Sequence, residues 1–112
     1  MTLPNLNRLL MLETLERVPD GGGGYAEVWV PLGHLWANVS ARTGRERSEA
    51  GVPISAMSYK IVVRGSPHGA PSRPKPDQRF REGSRLFLIR AVAERDDNGR
   101  YLTCFADEEI VT

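Results

Sequence analysis

The sequence has a single cysteine, Cys104, so no internal disulfide can staple the fold. Cys104 lies in an apolar run, where a thiol serves as a small core hydrophobe. No stretch approaches the roughly 18 apolar residues that a membrane-crossing helix needs. A basic start followed by a sustained apolar segment is also missing, so a secretory leader is not expected. Charge of one sign is scarce as well: 15 Lys and Arg stand against 14 Asp and Glu. No global field draws such a chain onto nucleic acid, and any DNA contact rests on local patches. Small proteins this close to neutrality tend to self-associate.

Catalytic and cofactor signatures are equally sparse. The two histidines, His34 and His68, are far apart, and no Cys-x-x-Cys or His-x-x-x-His spacing accompanies them. The glycines at 21–24 are not followed by Gly-Lys-Ser/Thr, which leaves a hairpin turn rather than a phosphate cradle. Asp96-Asp97-Asn98 lacks the ligand periodicity and closing glutamate of a calcium loop. Asp107, Glu108 and Glu109 have no nucleophile or oxyanion donor beside them and read as a solvated or partner-facing acidic patch. The expectation is no enzyme, no metal and no cofactor.

What the sequence does have is punctuation. Eight prolines and eleven glycines cut the chain into short runs, against a helical bundle. Residues 1–7 form a flexible lead, and 8–112 a single domain. Arg8 to Val18 is expected as a strand, turning at Pro19-Asp20 and the glycines into Tyr25 to Val30, which Pro31 stops. Leu35 to Ala41 is a further strand. Arg42 to Val52, charged and small, reads as a solvated loop. Ile54 to Arg64 is the clearest strand, with Met57, Tyr59, Ile61 and Val63 on one face. Gly65 to Pro76, with four prolines, reads as an exposed loop.

Gln78 to Arg81 is a short strand that turns at Glu82-Gly83-Ser84. Arg85 to Glu94 follows, apolar on both faces from Leu86 to Ile89 and therefore expected near the centre of a barrel or sandwich. Asp96-Asp97-Asn98-Gly99 is a hairpin turn into Tyr101 to Ala106. The fold class is all-β: a small barrel of about six strands with two long loops.

Two basic clusters are candidate phosphate contacts without sequence reading. One is Arg42, Arg45 and Arg47 with Glu46 and Glu49. The other is Arg64, Arg73, Lys75 and Arg79, near the Pro-rich loop. No aromatic residues interleave with either, against a single-strand stacking platform. Trp29 and Trp36 are candidate anchors of the domain core or of a subunit interface.

The order of several landmarks resembles the phage head-tail joining family. These are the strand near Leu9–Leu15, the glycine turn, Trp29, Trp36-Ala37 with Val39, Gly44 and Glu46, and Ile61-Val62-Val63-Arg64. Arg79-Phe80, Gly83, Leu86-Phe87-Leu88-Ile89, Asp96-Asp97 and Gly99-Arg100-Tyr101-Leu102 complete the series. The resemblance runs from about residue 8 to 109; its departure is the longer Pro-rich stretch, Pro67–Pro76.

It implies a structural β-barrel subunit forming a ring, commonly a hexamer. The ring would sit between a portal–adaptor ring above and the tail terminator or tail tube below. Double-stranded DNA would pass through it without sequence specificity. It also implies a place in the neck of a phage, prophage or gene-transfer-agent particle, assembled in the bacterial cytoplasm. In stopper relatives the loop after the tryptophan strand projects into the channel, here Arg42 to Val52. Adaptor and tail-terminator roles are sibling readings. From a different class, the alternative is a stand-alone barrel module binding nucleic acid or peptide, which would stay monomeric.

Overall fold

The computed structural model describes residues 3–42, 45–49 and 52–109, and of 45–49 and 52–56 the backbone alone. The chain forms β1 (Arg8–Pro19), β2 (Tyr25–Ala41), β3 (Arg45–Glu49), β4 (Val52–Ala56), β5 (Ser58–Arg64), β6 (Arg79–Glu82), β7 (Arg85–Glu94) and β8 (Tyr101–Glu109). Six of these close a barrel in the order β1-β2-β5-β8-β7-β6. All its pairings are antiparallel, and β1 closes the ring against β6 through Met11, Leu12 and Glu13 alone. β3 and β4 form a separate two-stranded sheet. Closure removes the open edges that an all-β protein must otherwise protect.

Alternation decides which side chains enter the barrel. Leu10 and Leu12 of β1, Ile61 and Val63 of β5, Leu102, Cys104 and Ala106 of β8, and Phe80, Phe87 and Ile89 all point into one buried cluster. Phe80 and Phe87 are cross-strand partners, and Tyr59 meets Phe87 edge-on with ring centroids 5.2 Å apart. Truncating either phenylalanine would remove about 3–5 kcal/mol. Burial pushes the Cys104 thiol up to about 12, as expected of a core sulfur.

Several expected boundaries shift. Pro31 does not stop a strand: β2 runs through it as one 17-residue element. At that point β2 pairs with β1 alone, since its pairing with β5 begins at Ala37, so a missing N–H is tolerated on the open side. Arg42 to Val52 is no loop. β3 and β4 pair from Arg45↔Ala56 to Glu49↔Val52, and β3, Arg45–Glu49, is polar throughout and carries no apolar alternation to betray it. Its strand β4 also takes the first part of the Ile54–Arg64 run, which breaks at Met57. Gly44 lies outside the described residues, as do the side chains of Arg45, Glu46, Arg47 and Glu49.

The Pro-rich segment is only partly exposed. Pro74 is fully buried, and hydrogen-bonded turns at Pro67–Ala70, Ala70–Arg73 and Lys75–Gln78 tie the segment down. The acidic end belongs to a strand, because β8 extends to Glu109.

Gly65 marks a close approach. Its N–H donates to Arg100 O at 2.6 Å, and a Cβ there would lie within the van der Waals envelope of Gly99 O. Gly65→Ala should therefore cost about 1–3 kcal/mol by overpacking. Chemical denaturation should show that loss; an unchanged midpoint would mean the β7–β8 turn moves aside freely.

Candidate functional site

The barrel's outer surface near β1 and β2 is where the exposed large hydrophobics gather. Leu9 and Trp36 are cross-strand partners, exposed by 43% and 55%. Cross-strand partners share a face, so the pair forms one apolar patch. Beside it a groove of about 520 Å³ is lined by Leu6, His34, Leu35, Trp36 and Arg64. A second groove of about 230 Å³ continues past His34 to Leu9, Met11 and Arg81. Asn38 Nδ2 donates to Asn5 O at 3.0 Å, which ties the N-terminal lead alongside Trp36.

Trp29 and Trp36 are seven residues apart, a spacing that in a regular strand puts them on opposite faces. They nevertheless share the outer face. Leu12 pairs with Gly33 but Glu13 pairs with Pro31, so Leu32 is an extra residue that bulges inward against the core. Trp36 then faces Leu9 and Trp29 faces Leu15, two positions of β1 on one side. Trp36 is therefore not a core residue of this chain.

Between the two indoles sits a charged clasp. Glu13 is only 3% exposed, and its carboxylate accepts from Arg79 Nε at 2.7 Å and forms an ion pair with Arg81, whose Nε lies 3.1 Å away. The Arg79 guanidinium also lies 4.1 Å from the Trp29 ring centroid, so the arginine ties the barrel to the base of the β1–β2 arm. Beyond Glu13 that arm has only two strands, with Leu15, Tyr25 and Val28 exposed. Asp20 closes its tip by accepting from Gly22 N–H and Gly24 N–H at 2.8 and 3.1 Å.

The basic residues singled out from sequence do not form one surface. Arg79 is engaged as described. Arg73 donates to Ser66 O at 2.8 Å within the Pro-rich segment. Lys75 is exposed there, and Arg64 borders the tryptophan groove. Arg42 sits at the base of the β3–β4 hairpin: its N–H donates to Ser58 O at 2.7 Å, and its guanidinium lies 5.1 Å from the Phe105 ring centroid.

A second charged network, unforeseen from sequence, links β1, β5, β6, β7 and β8. Arg85 donates to Glu108 at 2.8 and 3.2 Å and to Tyr59 Oη at 3.2 Å. Arg8 Nε donates to Glu82 at 3.0 Å. Asp107 binds Arg90 and Ser58, each at 3.0 Å. These contacts engage Asp107 and Glu108 of the C-terminal strand, and Glu109 is exposed. Among the described residues no three His, Cys, Asp or Glu side chains gather as metal ligands.

Residues 1–109 match the family model of the phage head completion protein. The chain belongs to that family. Membership places it among structural proteins of virions, built to assemble with other particle proteins. A chain from a solved structure described as the virion of a native gene transfer agent particle is 53% identical, with a TM-score of 0.83. The match covers 98% of this chain and all of that one. No curated protein matched.

Two outcomes are expected. The Arg8 and Arg85 hydrogen bonds hold the Glu82 and Glu108 carboxyls below their ordinary range. A depressed folded pKa means the pairs stabilise above the unfolded value, about 4.3 for glutamate, and that this is lost as pH falls past it. Melting temperature should hold from pH 7 to about 5 and fall below about 4.3. Glu108→Gln should flatten that fall; parallel curves would remove Glu108 from the account. Trp36→Ala should shift folding stability by no more than about 0.5 kcal/mol in a dispersed monomer, since the indole is largely solvated. A core-sized loss on denaturation would contradict its outward placement.

Proposed function

We propose that this head completion protein is a stopper: a homo-oligomeric ring, hexameric, in the neck of a phage-like particle such as a gene transfer agent. Residues 8–112 act as one domain in this reading. The ring assembles in the bacterial cytoplasm, beneath a portal–adaptor ring and above the tail terminator or tail tube. It retains packaged double-stranded DNA until the tail is in place. Family membership and the similarity to a chain of a gene transfer agent virion support the location.

The observation that carries the gating role is the β3–β4 hairpin, which belongs to none of the barrel's pairings. Such an element moves without breaking the core. Its segment contains Arg45 and Arg47 against Glu46 and Glu49, and Arg42 holds its base. A ring repeats that hairpin around one axis. Repeated backbone-stiffened hairpins narrow the channel, and local basic charge meets phosphates without reading sequence. The free surface of the β1–β2 arm supplies the means of assembly, because a two-stranded arm is marginal in water by itself.

Replacing residues 43–56 with a short Gly-Ser turn should leave the barrel folded, since β5 and the pairing of β2 with it are untouched. Heads carrying the replacement should lose DNA before tail attachment, read as nuclease-accessible DNA in purified particles. Retention equal to the wild type would show that another segment, foremost the Pro-rich one, closes the channel.

A further inference from the structure

The outer face of β1 and β2 is one surface, continuous from Trp36 and Leu9 through the Glu13 clasp to Trp29, Leu15 and Tyr25. We infer that its occupant is a second copy of this chain, which docks there with the outer face of β7 and β8. This rests on the ring reading above and names its contact.

Three observations lead to that face. The first is position. In the order β1-β2-β5-β8-β7-β6, β8 is three strands from β1 and β7 three strands from β2. The two faces thus lie on opposite flanks of the barrel. A head-to-tail ring needs two different patches so disposed, whereas a two-fold dimer would use one patch twice.

The second is shape. Val92 and Cys104 turn inward, so Ala91, Ala93, Thr103 and Phe105, which pair as Ala91↔Phe105 and Ala93↔Thr103, turn away from the core. Ala91 and Ala93 are exposed, while Thr103 is only 8% exposed and Phe105 lies under the Arg42 guanidinium. The open part of that face is the small-side-chain floor of Ala91 and Ala93, bordered by one half-buried ring. The β1–β2 face offers the opposite relief, with Trp36 and Tyr25 exposed by 55% and 63%. Large indoles on small floors give the close fit that interface centres require.

The third is charge. Arg64 and Arg81 lie on or beside the tryptophan face, where the Glu13 carboxylate is engaged by two arginines, while Arg17 stands opposite its cross-strand partner Glu27. On the β7–β8 flank Asp107 and Glu108 are matched by Arg90 and Arg85 of β7, and Glu109 at the end of β8 is exposed. The exposed Glu109 at one edge and Arg64 at the edge of the other face steer one register over others.

The test places the photoreactive residue p-benzoylphenylalanine at Trp36 in particles assembled in cells, irradiates them, and maps cross-linked peptides by mass spectrometry. Cross-links from position 36 to Ala91, Ala93 or Phe105 of a second copy are expected. Copy-to-copy cross-links elsewhere, or cross-links only to a different protein, while images still show a ring, would overturn this contact and leave the ring reading standing. No copy-to-copy cross-link and no ring in the images would overturn both. As an independent arm, Ala93→Arg should cut ring incorporation at least tenfold while melting unchanged as a dispersed monomer. Incorporation at the wild-type level would overturn the contact.

Discussion

The closure of the barrel at Met11, Leu12 and Glu13 is the constraint on which the rest of the molecule depends. Only these residues of β1 reach β6. Before them, β1 is a barrel strand with Leu10 and Leu12 in the core. After them, it leaves the barrel and continues with β2 alone. Glu13 stands at that exit, and the price of burying its carboxylate is offset by two guanidiniums. One of these stacks on Trp29 and so fixes the direction in which the arm departs. Breaking a buried carboxylate–arginine set is far more costly than breaking an exposed one, so the exit is firmly placed.

The bulge at Leu32 falls at the same level, and the coincidence has a structural consequence. Where β1 changes from barrel strand to arm, the partner strand must change its twist and its facing. One extra residue does both. It delivers Leu32 to the core and flips everything N-terminal to it in β2. Trp29 thereby joins Trp36 on the outside. Without the bulge, one indole would face the barrel's interior side and the arm would present two half-surfaces instead of one.

Around this closure the protein separates rigid from adjustable parts. Cross-strand phenylalanines, the edge-on Tyr59–Phe87 contact and the Arg85–Glu108 network hold the barrel. The arm and the β3–β4 hairpin stand outside its pairing. Membership in the phage head completion family gives that division a use. A structural virion protein must keep a stable body while other segments meet neighbouring particle proteins. A barrel with no open edges does the first without competing for the second.

The sequence by itself determined the all-β class, most strand positions, the glycine and Asp-Asn-Gly turns, and the burial of Cys104. Each rests on a local rule: period-two alternation, turn chemistry, or the apolar run around a thiol. The family, too, was legible in the order of short motifs. Only the tertiary structure decided that Pro31 sits inside a strand, because that depends on which side of β2 is paired. It also decided that Arg45–Glu49 pairs with Val52–Ala56 as a hairpin, since the first of these strands is polar throughout and leaves no hydrophobic pattern. Glu108 read as part of an acidic patch, and its partner Arg85, like the Arg79 and Arg81 that meet Glu13, is near only once the barrel has closed. The shared face of Trp29 and Trp36 was likewise hidden. Their odd spacing argues for opposite faces, and only the pairing register, set across two strands, reveals the extra residue that reverses it.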